Sequence, residues 1–143
     1  MRLAPILGRL AFERCITSRE LKVGAAVVPV PLHRRRRRQR GYNQAELLAR
    51  TVAALAGVPL RRGVLSKIKP RPPQAELSAK ARLTNAVGAY HARLPAWLRG
   101  RDVLLVDDVF TTGATAEACA RALLTAGAAS VDVLTVARVP LVF

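Results

Sequence analysis

VLLVDDVFTTGAT, spanning Val103–Thr115, joins a four-residue apolar run, two adjacent carboxylates and a small-residue loop that opens onto helix-forming sequence. Val103–Val106 is apolar enough for the central strand of a parallel sheet covered on both faces. In open sheets of this kind ligands bind beyond the carboxyl ends of the strands, where Asp107 and Asp108 fall. The loop Thr111–Thr115 offers successive backbone N–H groups and hydroxyls at a helix N-terminus, where the macrodipole favours a phosphate. Gly113 lets the backbone come close to that anion. Two acids beside an anion site are out of place unless a hydroxylated or metal-bearing group lies there. A ribose diol is such a group, because carboxylates accept hydrogen bonds from vicinal hydroxyls and also hold a divalent metal against a neighbouring pyrophosphate. The competing structural reading is a plain strand–helix turn in which Asp108 only caps the helix.

Outward from this segment the pattern repeats. AEACARALLTAGA predicts a helix closed by Gly127, and VDVLTVARV predicts a strand, which completes a right-handed strand–helix–strand unit. Upstream, Val27–Leu32 predicts a buried strand whose pairing Pro29 and Pro31 restrict near its end. A basic loop, HRRRRRQRGY, follows, and then NQAELLARTVAALAG has helical spacing with Asn43 as N-cap and Gly57 and Pro59 as the stop. Short strands are expected around Gly63–Ile68 and in AVGAYHARL, with a polar, proline-broken loop in the rest of residues 61–84 between them. Residues 3–16 have helix-like spacing that Pro5 and Gly8 weaken. The expected architecture is α/β: a single-domain open parallel sheet flanked by helices, Rossmann-like, with an N-terminal helical segment over residues 1–24 and the main domain over 25–143.

Composition agrees and narrows the partners. The chain has 143 residues, 51% of them apolar and only 4% aromatic, and Lys and Arg exceed Asp and Glu by 24 to 9, a formal net charge of +15. Such a field attracts polyanions without separating nucleic acid from a phosphorylated metabolite. Cys15 and Cys119 form no CxxC pair or Cys/His cluster, so no zinc site and no disulfide framework is expected. No apolar run approaches the roughly 20 residues that span a bilayer, and the N-terminus is not a secretory signal, so the expectation is a cytoplasmic protein. His33 and His91 have no metal partner near them in sequence and are assigned structural or surface roles. Cys119 is assigned to the core and Trp97 to packing at a strand entry. An aromatic ladder for single-stranded nucleic acid is missing.

VLLVDDVFTTGAT resembles the 5-phosphoribosyl pyrophosphate signature of type I phosphoribosyltransferases. VVPVPLHRRRRRQRGYNQAELLAR and PPQAELSAKARLTNAVGAY resemble the ComF family of competence proteins, and the likeness covers residues 25–138. The resemblance implies a type I phosphoribosyltransferase-like fold. It assigns Asp107 and Asp108 to the ribose hydroxyls and indirectly to magnesium, and Thr111, Thr112, Gly113, Ala114 and Thr115 to the 5′-phosphate. Pyrophosphate falls to Arg34, Arg38, Arg40 and Gly41, where guanidinium groups pair with phosphate oxygens in bidentate geometry. The bland alternative for Arg34–Arg38 is a solvated charged run, and for Tyr42, Asn43 and Gln44 capping and packing alone. Arg82 is implied as a catalytic residue in a loop that closes over the reaction centre. Gln74 and Asn85 also match the family pattern, with Lys67 and Lys69 weaker. The family often carries an N-terminal cysteine-rich zinc module, and this sequence has none. The abbreviated region before the first strand leaves Leu3, Ile6, Leu7 and Leu10 to seek a partner or a homodimer.

Three functions follow as expectations. The first is an enzyme, a pentosyltransferase that displaces pyrophosphate from 5-phosphoribosyl pyrophosphate with a nitrogen nucleophile, using magnesium. The second is a non-catalytic module that senses the same or a nucleotide-like ligand and contacts DNA or a competence protein during DNA uptake. The third is a single-stranded DNA binder with a vestigial pocket.

Overall fold

The computed structural model describes residues 3–18, 21, 23–32, 38–68 and 88–139. Three parallel strands form the main sheet in the order β1–β4–β5: β1 is Ala26–Pro29, β4 Asp102–Phe110 and β5 Ser130–Arg138. A two-stranded antiparallel ribbon pairs β2, Leu65–Lys67, with β3, Tyr90–Ala92. The helices are α1, Leu3–Ser18, α2, Gln44–Ala56, and α3, Ala114–Thr125. The sheet is open and flanked by helices, and the expected α/β class is the observed one.

β4 lies in the middle because Val103, Leu104, Leu105 and Val106 are apolar on both faces, and all four are buried. Side chains alternate across the sheet. Val103 and Leu105 pack with Val28, Cys119 and Leu123 beneath α3 and the ribbon. Leu104 and Val106 pack with Val27, Leu48 and Val52 beneath α2, with Ala11 and Phe12 of α1 behind. Truncating a residue such as Leu104 to Ala would cost about 2–5 kcal/mol, because neither layer can close the space. Register places Ala26 opposite Val103 and Asp102 opposite Ser130, so the three strands start together and run in one direction, β1 ending level with Val106 while β4 and β5 continue to Phe110 and Arg138.

Local signals set the ends. The Asn43 side chain accepts from the Ala45 N–H at 3.2 Å, and its amide donates to the Val30 carbonyl at 3.0 Å. It therefore caps α2 and ties that cap to the end of β1. Gly57, left-handed at φ 68°, closes α2 as expected. α3 stops at Thr125, just ahead of the expected Gly127.

Several boundaries differ from the sequence reading. β1 ends at Pro29, short of Leu32, because prolines at 29 and 31 lack the N–H that would extend the ladder. β4 runs on past Val106 through both acids to Phe110, since pairing with β5 continues to Arg138. β2, Leu65–Lys67, falls inside the strand expected around Gly63–Ile68. α1 is continuous despite Pro5 and Gly8. Pro5 stands in its first turn, where no N–H is needed. At Gly8 a Cβ would lie 3.2 Å from the Thr51 Cβ, so the glycine permits a close crossing with α2. Leu3, Ile6 and Leu10 of α1 are more than half exposed. No helix among the described residues is long and apolar enough to cross a membrane.

Candidate functional site

The carboxyl edge of the sheet gathers the residues that the sequence singled out. Asp107 and Asp108 are neighbours near the end of β4, both half-buried. Asp107 Oδ1 accepts the Asp108 N–H and Asp108 Oδ1 accepts the Val109 N–H, each at 2.9 Å. Alternation puts Asp107 on the α3 side, in the electrostatic neighbourhood of Tyr90 and Cys119. Asp108 instead borders a cavity of about 360 Å³ on the α2 side, with Tyr42, Gln44 and Leu7. Burial pushes the Asp107 carboxyl up to about 6. The Asp108 backbone N–H opposes the rise, while the Asp108 carboxyl, within hydrogen-bond reach, adds to it. Asp107 thus gives up its proton less readily than an ordinary carboxylic acid.

After β4 the chain turns through Thr111, Thr112 and Gly113 into α3. Thr111 and Thr112 are exposed. Gly113 is the N-cap at φ 81° and ψ −4°, and no side chain caps this helix. The Ala114 N–H points to Thr112 Oγ1 at 3.3 Å, and the first intrahelical bond runs from the Glu117 N–H to the Gly113 carbonyl at 2.8 Å. The N–H groups of Thr115 and Ala116 thus stand in the helical turn that has no internal acceptor. A Cβ on Gly113 would meet the Phe110 ring at 2.6 Å, so any larger residue would have to displace that ring. The arrangement offers an anion a set of backbone donors at a helix N-terminus, with acids on the adjoining strand.

The loop after β1 leaves the same edge, since Pro29 stands opposite Val106 of β4. Arg38 and Arg40 lie in a short helical turn at residues 38–40, both exposed, and Gly41 follows at φ 74°. Arg40 Nη1 donates to Gln44 Oε1 at 3.3 Å. Arg34 and the other arginines up to Arg37 lie outside the described residues, as do His33, Lys69, Gln74, Arg82 and Asn85. The segment between β2 and β3 that carries the expected closing loop lies outside them as well.

Four residues at this edge escaped the sequence reading or were undervalued by it. The Thr115 hydroxyl is a hydrogen-bond partner of the Tyr90 phenol, whose ionisation burial discourages. The Lys67 ammonium lies 5.5 Å from the centre of the Tyr90 ring. Phe110 roofs Gly113, and the Arg138 guanidinium lies 5.6 Å from the Phe110 ring centre. Alternation in β3, with Ala92 buried and His91 exposed, is a signal that puts Tyr90 on the inner side. Nothing local in the sequence pairs Phe110 with Arg138, because that contact depends on the β4–β5 register. Cys119 is buried, and burial pushes its thiol up to about 12, so it is an inert core group. No group of three or more His, Cys, Asp or Glu that could hold a metal occurs among the described residues.

Comparison with known proteins places this edge in context. Residues 39–140 match the phosphoribosyl transferase domain. The chain is 34% identical over 139 residues to the DNA utilization protein YhgH of Salmonella typhimurium, covering 95% of this chain and 60% of that protein. It is 37% identical over 113 residues to the competence protein ComFC of Bacillus subtilis, covering 78% of this chain and 44% of that one. The chain therefore spans about 60% or less of the length of these curated relatives. Among solved structures, the glutamine phosphoribosylpyrophosphate amidotransferase of B. subtilis superposes with a TM-score of 0.60 at 21% identity, over 91% of this chain and 25% of that one.

Proposed function

The chain belongs to the phosphoribosyl transferase domain family, within its ComF-like proteins, and from that premise we propose that it binds 5-phosphoribosyl pyrophosphate with magnesium at the carboxyl edge of β4. One observation carries the reading. Gly113 holds a left-handed N-cap with no side chain of its own to fill it, so N–H groups of the first turn of α3, those of Thr115 and Ala116, are left for an external anion beside Asp107. In this reading the 5′-phosphate sits on Thr111, Thr112, Gly113, Ala114 and Thr115, and the ribose hydroxyls donate to Asp107 and Asp108. Pyrophosphate falls to Arg38, Arg40 and Gly41, together with Arg34. Arg82 serves the closing loop.

Magnesium suits this edge in a limited way. Two neighbouring carboxylates, one held up to about 6 by burial, favour a divalent cation that lowers their mutual repulsion. Two are too few to enclose it, so the metal would be held chiefly by the ligand's phosphates and by water, with Asp107 and Asp108 contributing from the protein. When bound, it supplies charge neutralisation of the pyrophosphate.

The reaction that fits is displacement at the anomeric carbon. A nitrogen nucleophile forms the new bond to that carbon while the bond to pyrophosphate breaks and its electron pair leaves with the pyrophosphate. The chain's own contribution is positioning: the phosphate loop and the acids fix the sugar, and the arginines receive the leaving group. The names of the relatives, DNA utilization protein and competence protein, and the net charge of +15 support a second reading. In it the same pocket senses the ligand without turnover while the protein acts in DNA uptake.

Calorimetry with 5-phosphoribosyl pyrophosphate and magnesium tests the site, and pyrophosphate release against a panel of nucleobases and amines separates the readings. Binding with release supports the transferase, and binding with persistent silence supports the sensor. Absence of heat at millimolar ligand with magnesium present rejects both.

A further inference from the structure

The opposite edge of the sheet holds a second cluster that the sugar-phosphate reading leaves unused. Leu60 bridges to Val27 near the start of β1, and the Arg61 N–H donates to the Val27 carbonyl at 2.8 Å, which fixes Arg61 at the amino edge. The Arg93 N–H is fixed likewise on the Val64 carbonyl at 2.8 Å. Between them, a cavity of about 350 Å³ is lined by Arg61, Arg62, Gly63, Arg93, Pro95 and Trp97, with further apolar wall from Leu60 and Val64. Trp97 packs against the core cluster, and the Arg61 guanidinium lies 4.9 Å from its ring centre. Arg62 Nε is held by Glu46 at 3.0 Å, yet the Arg62 side chain remains 52% exposed. Neither Arg61 nor Arg93 has a carboxylate partner among the described residues. Arg99 and Arg101, also exposed, extend the basic surface along the same edge.

We propose that this cavity is a second binding site, which takes one nucleotide unit by stacking its base on the Arg61 guanidinium and pairing its phosphate with Arg62 and Arg93. A guanidinium lying on a tryptophan presents a flat, weakly hydrated cationic face, on which an unpaired base stacks. Trp97 backs Arg61 so that the plane is already set, which lowers the ordering cost of binding. Arg93 is the free phosphate donor, and the outer donors of Arg62 join it. A base engaged in a duplex cannot present its face, so the ligand is a free nucleotide or a unit of a single strand. The site is separate from the sugar-phosphate edge. Its lining includes none of Asp107, Asp108 or the Thr111–Thr115 loop.

Trp97 is the sole tryptophan of the chain, so its emission reports this site directly. Titration of the full chain with a twelve-residue thymidylate oligonucleotide, and separately with thymidine 5′-monophosphate, is expected to change Trp97 emission saturably. Half-saturation by the oligonucleotide at least 100-fold below the mononucleotide identifies a strand as the ligand. Equal half-saturation per nucleotide identifies a free nucleotide. The double variant Arg61→Ala/Arg93→Ala should weaken oligonucleotide binding at least 10-fold and lower the log–log salt slope by about 0.7, the one phosphate contact of Arg93 on a single strand. Arg61→Lys, which keeps the charge and removes the plane, should lose the emission change while retaining phosphate-driven binding. Asp107→Asn should leave the emission titration unchanged, which separates failure here from failure of the proposed function. The proposal is overturned if inorganic phosphate alone reproduces the emission change. Equal oligonucleotide affinity, by anisotropy, in the wild type and the folded double variant likewise overturns it, as does binding that leaves Trp97 emission untouched.

Discussion

The two edges of the sheet are built on opposite principles. Where β4 begins, Asp102 is satisfied: Ser130 Oγ donates to Asp102 Oδ1 at 2.6 Å, and the Ala25 N–H donates to the Asp102 carbonyl at 2.7 Å. At the carboxyl edge an acid is half-buried beside another acid, and a helix starts on a glycine N-cap with no side chain of its own. Rules of stability are kept where β4 begins and broken where it ends, and the proposed ligand would complete the broken end. The largest effect should come from disturbing the satisfied edge. Gly24 is left-handed at φ 67°, and a Cβ there would run into the Asp102 backbone carbonyl. Gly24→Ala should cost about 3 kcal/mol or more, since both the backbone strain and the clash fall on the rigid central strand. Chemical denaturation measures it, and a loss under about 1 kcal/mol would contradict the account of this edge.

The same change at the other edge should act on binding more than on folding. In Gly113→Ala the added methyl meets the Phe110 ring, a side chain that can swing away, instead of a strand carbonyl. The expected result is a loss of affinity for 5-phosphoribosyl pyrophosphate of about 100-fold, roughly 2.7 kcal/mol, with a thermal midpoint that falls only a few degrees. If Gly24→Ala and Gly113→Ala lost stability equally, the contrast between a structural and a functional glycine would disappear.

Asp107 tests the claim that the carboxyl edge gives up stability. Its folded-state pKa is raised from 3.8 to about 6, so the folded protein binds the proton more tightly than the unfolded chain. The resulting stability is complete below pH ~4 and is lost as pH rises through about 6. Asp107→Asn cannot ionise and keeps the oxygen that accepts the Asp108 N–H. It should stabilise the protein by about 1–2 kcal/mol at pH 8, after allowance for solvent screening, and the gain should shrink to about zero below pH 4. Affinity for the sugar phosphate should meanwhile drop at least 10-fold. A variant that is less stable than the parent at pH 8 would mean that Asp107 supports the fold, contrary to the reading of this edge.

How far the sequence revealed this contrast depended on the range of the interactions. Val103–Thr115 is a continuous segment whose apolar run, glycine and helix start each follow from local chemistry, so its strand, turn and helix were legible almost whole. The Asn43 and Gly57 ends of α2 were legible for the same reason. α1 was not: Pro5 and Gly8 read as breaks because the close crossing at Thr51 is a tertiary fact. The end of β4 was missed because its extension to Phe110 is set by β5. Phe110 over Gly113, Tyr90 at Thr115 and Arg61 on Trp97 each join residues far apart in the chain or placed by strand register, and no local pattern announces them. Trp97 was correctly assigned to packing, yet only the structure shows what lies on its outer face.

The smallest effects offer the finest comparison, through a matched pair of polar truncations. Asn43→Ala removes the α2 cap and the donor to Val30 at the carboxyl edge, and Ser130→Ala removes the donor to Asp102 at the amino edge. Each should cost about 1 kcal/mol in chemical denaturation, the usual scale for a cap or a partly buried hydrogen bond. Their effects on binding should part. Asn43 ties the start of α2 to the end of β1, and the turn bearing Arg38 and Arg40 is strung between those two points, so its loss loosens the pyrophosphate side. A 3- to 10-fold weakening toward 5-phosphoribosyl pyrophosphate is expected for Asn43→Ala, with ribose 5-phosphate affinity nearly unchanged because the Thr111–Thr115 loop is not involved. Ser130→Ala should leave both ligands within twofold of the parent. Weakening of both ligands by both variants would show that affinity tracks global stability, and the distinction between the two edges would then fail.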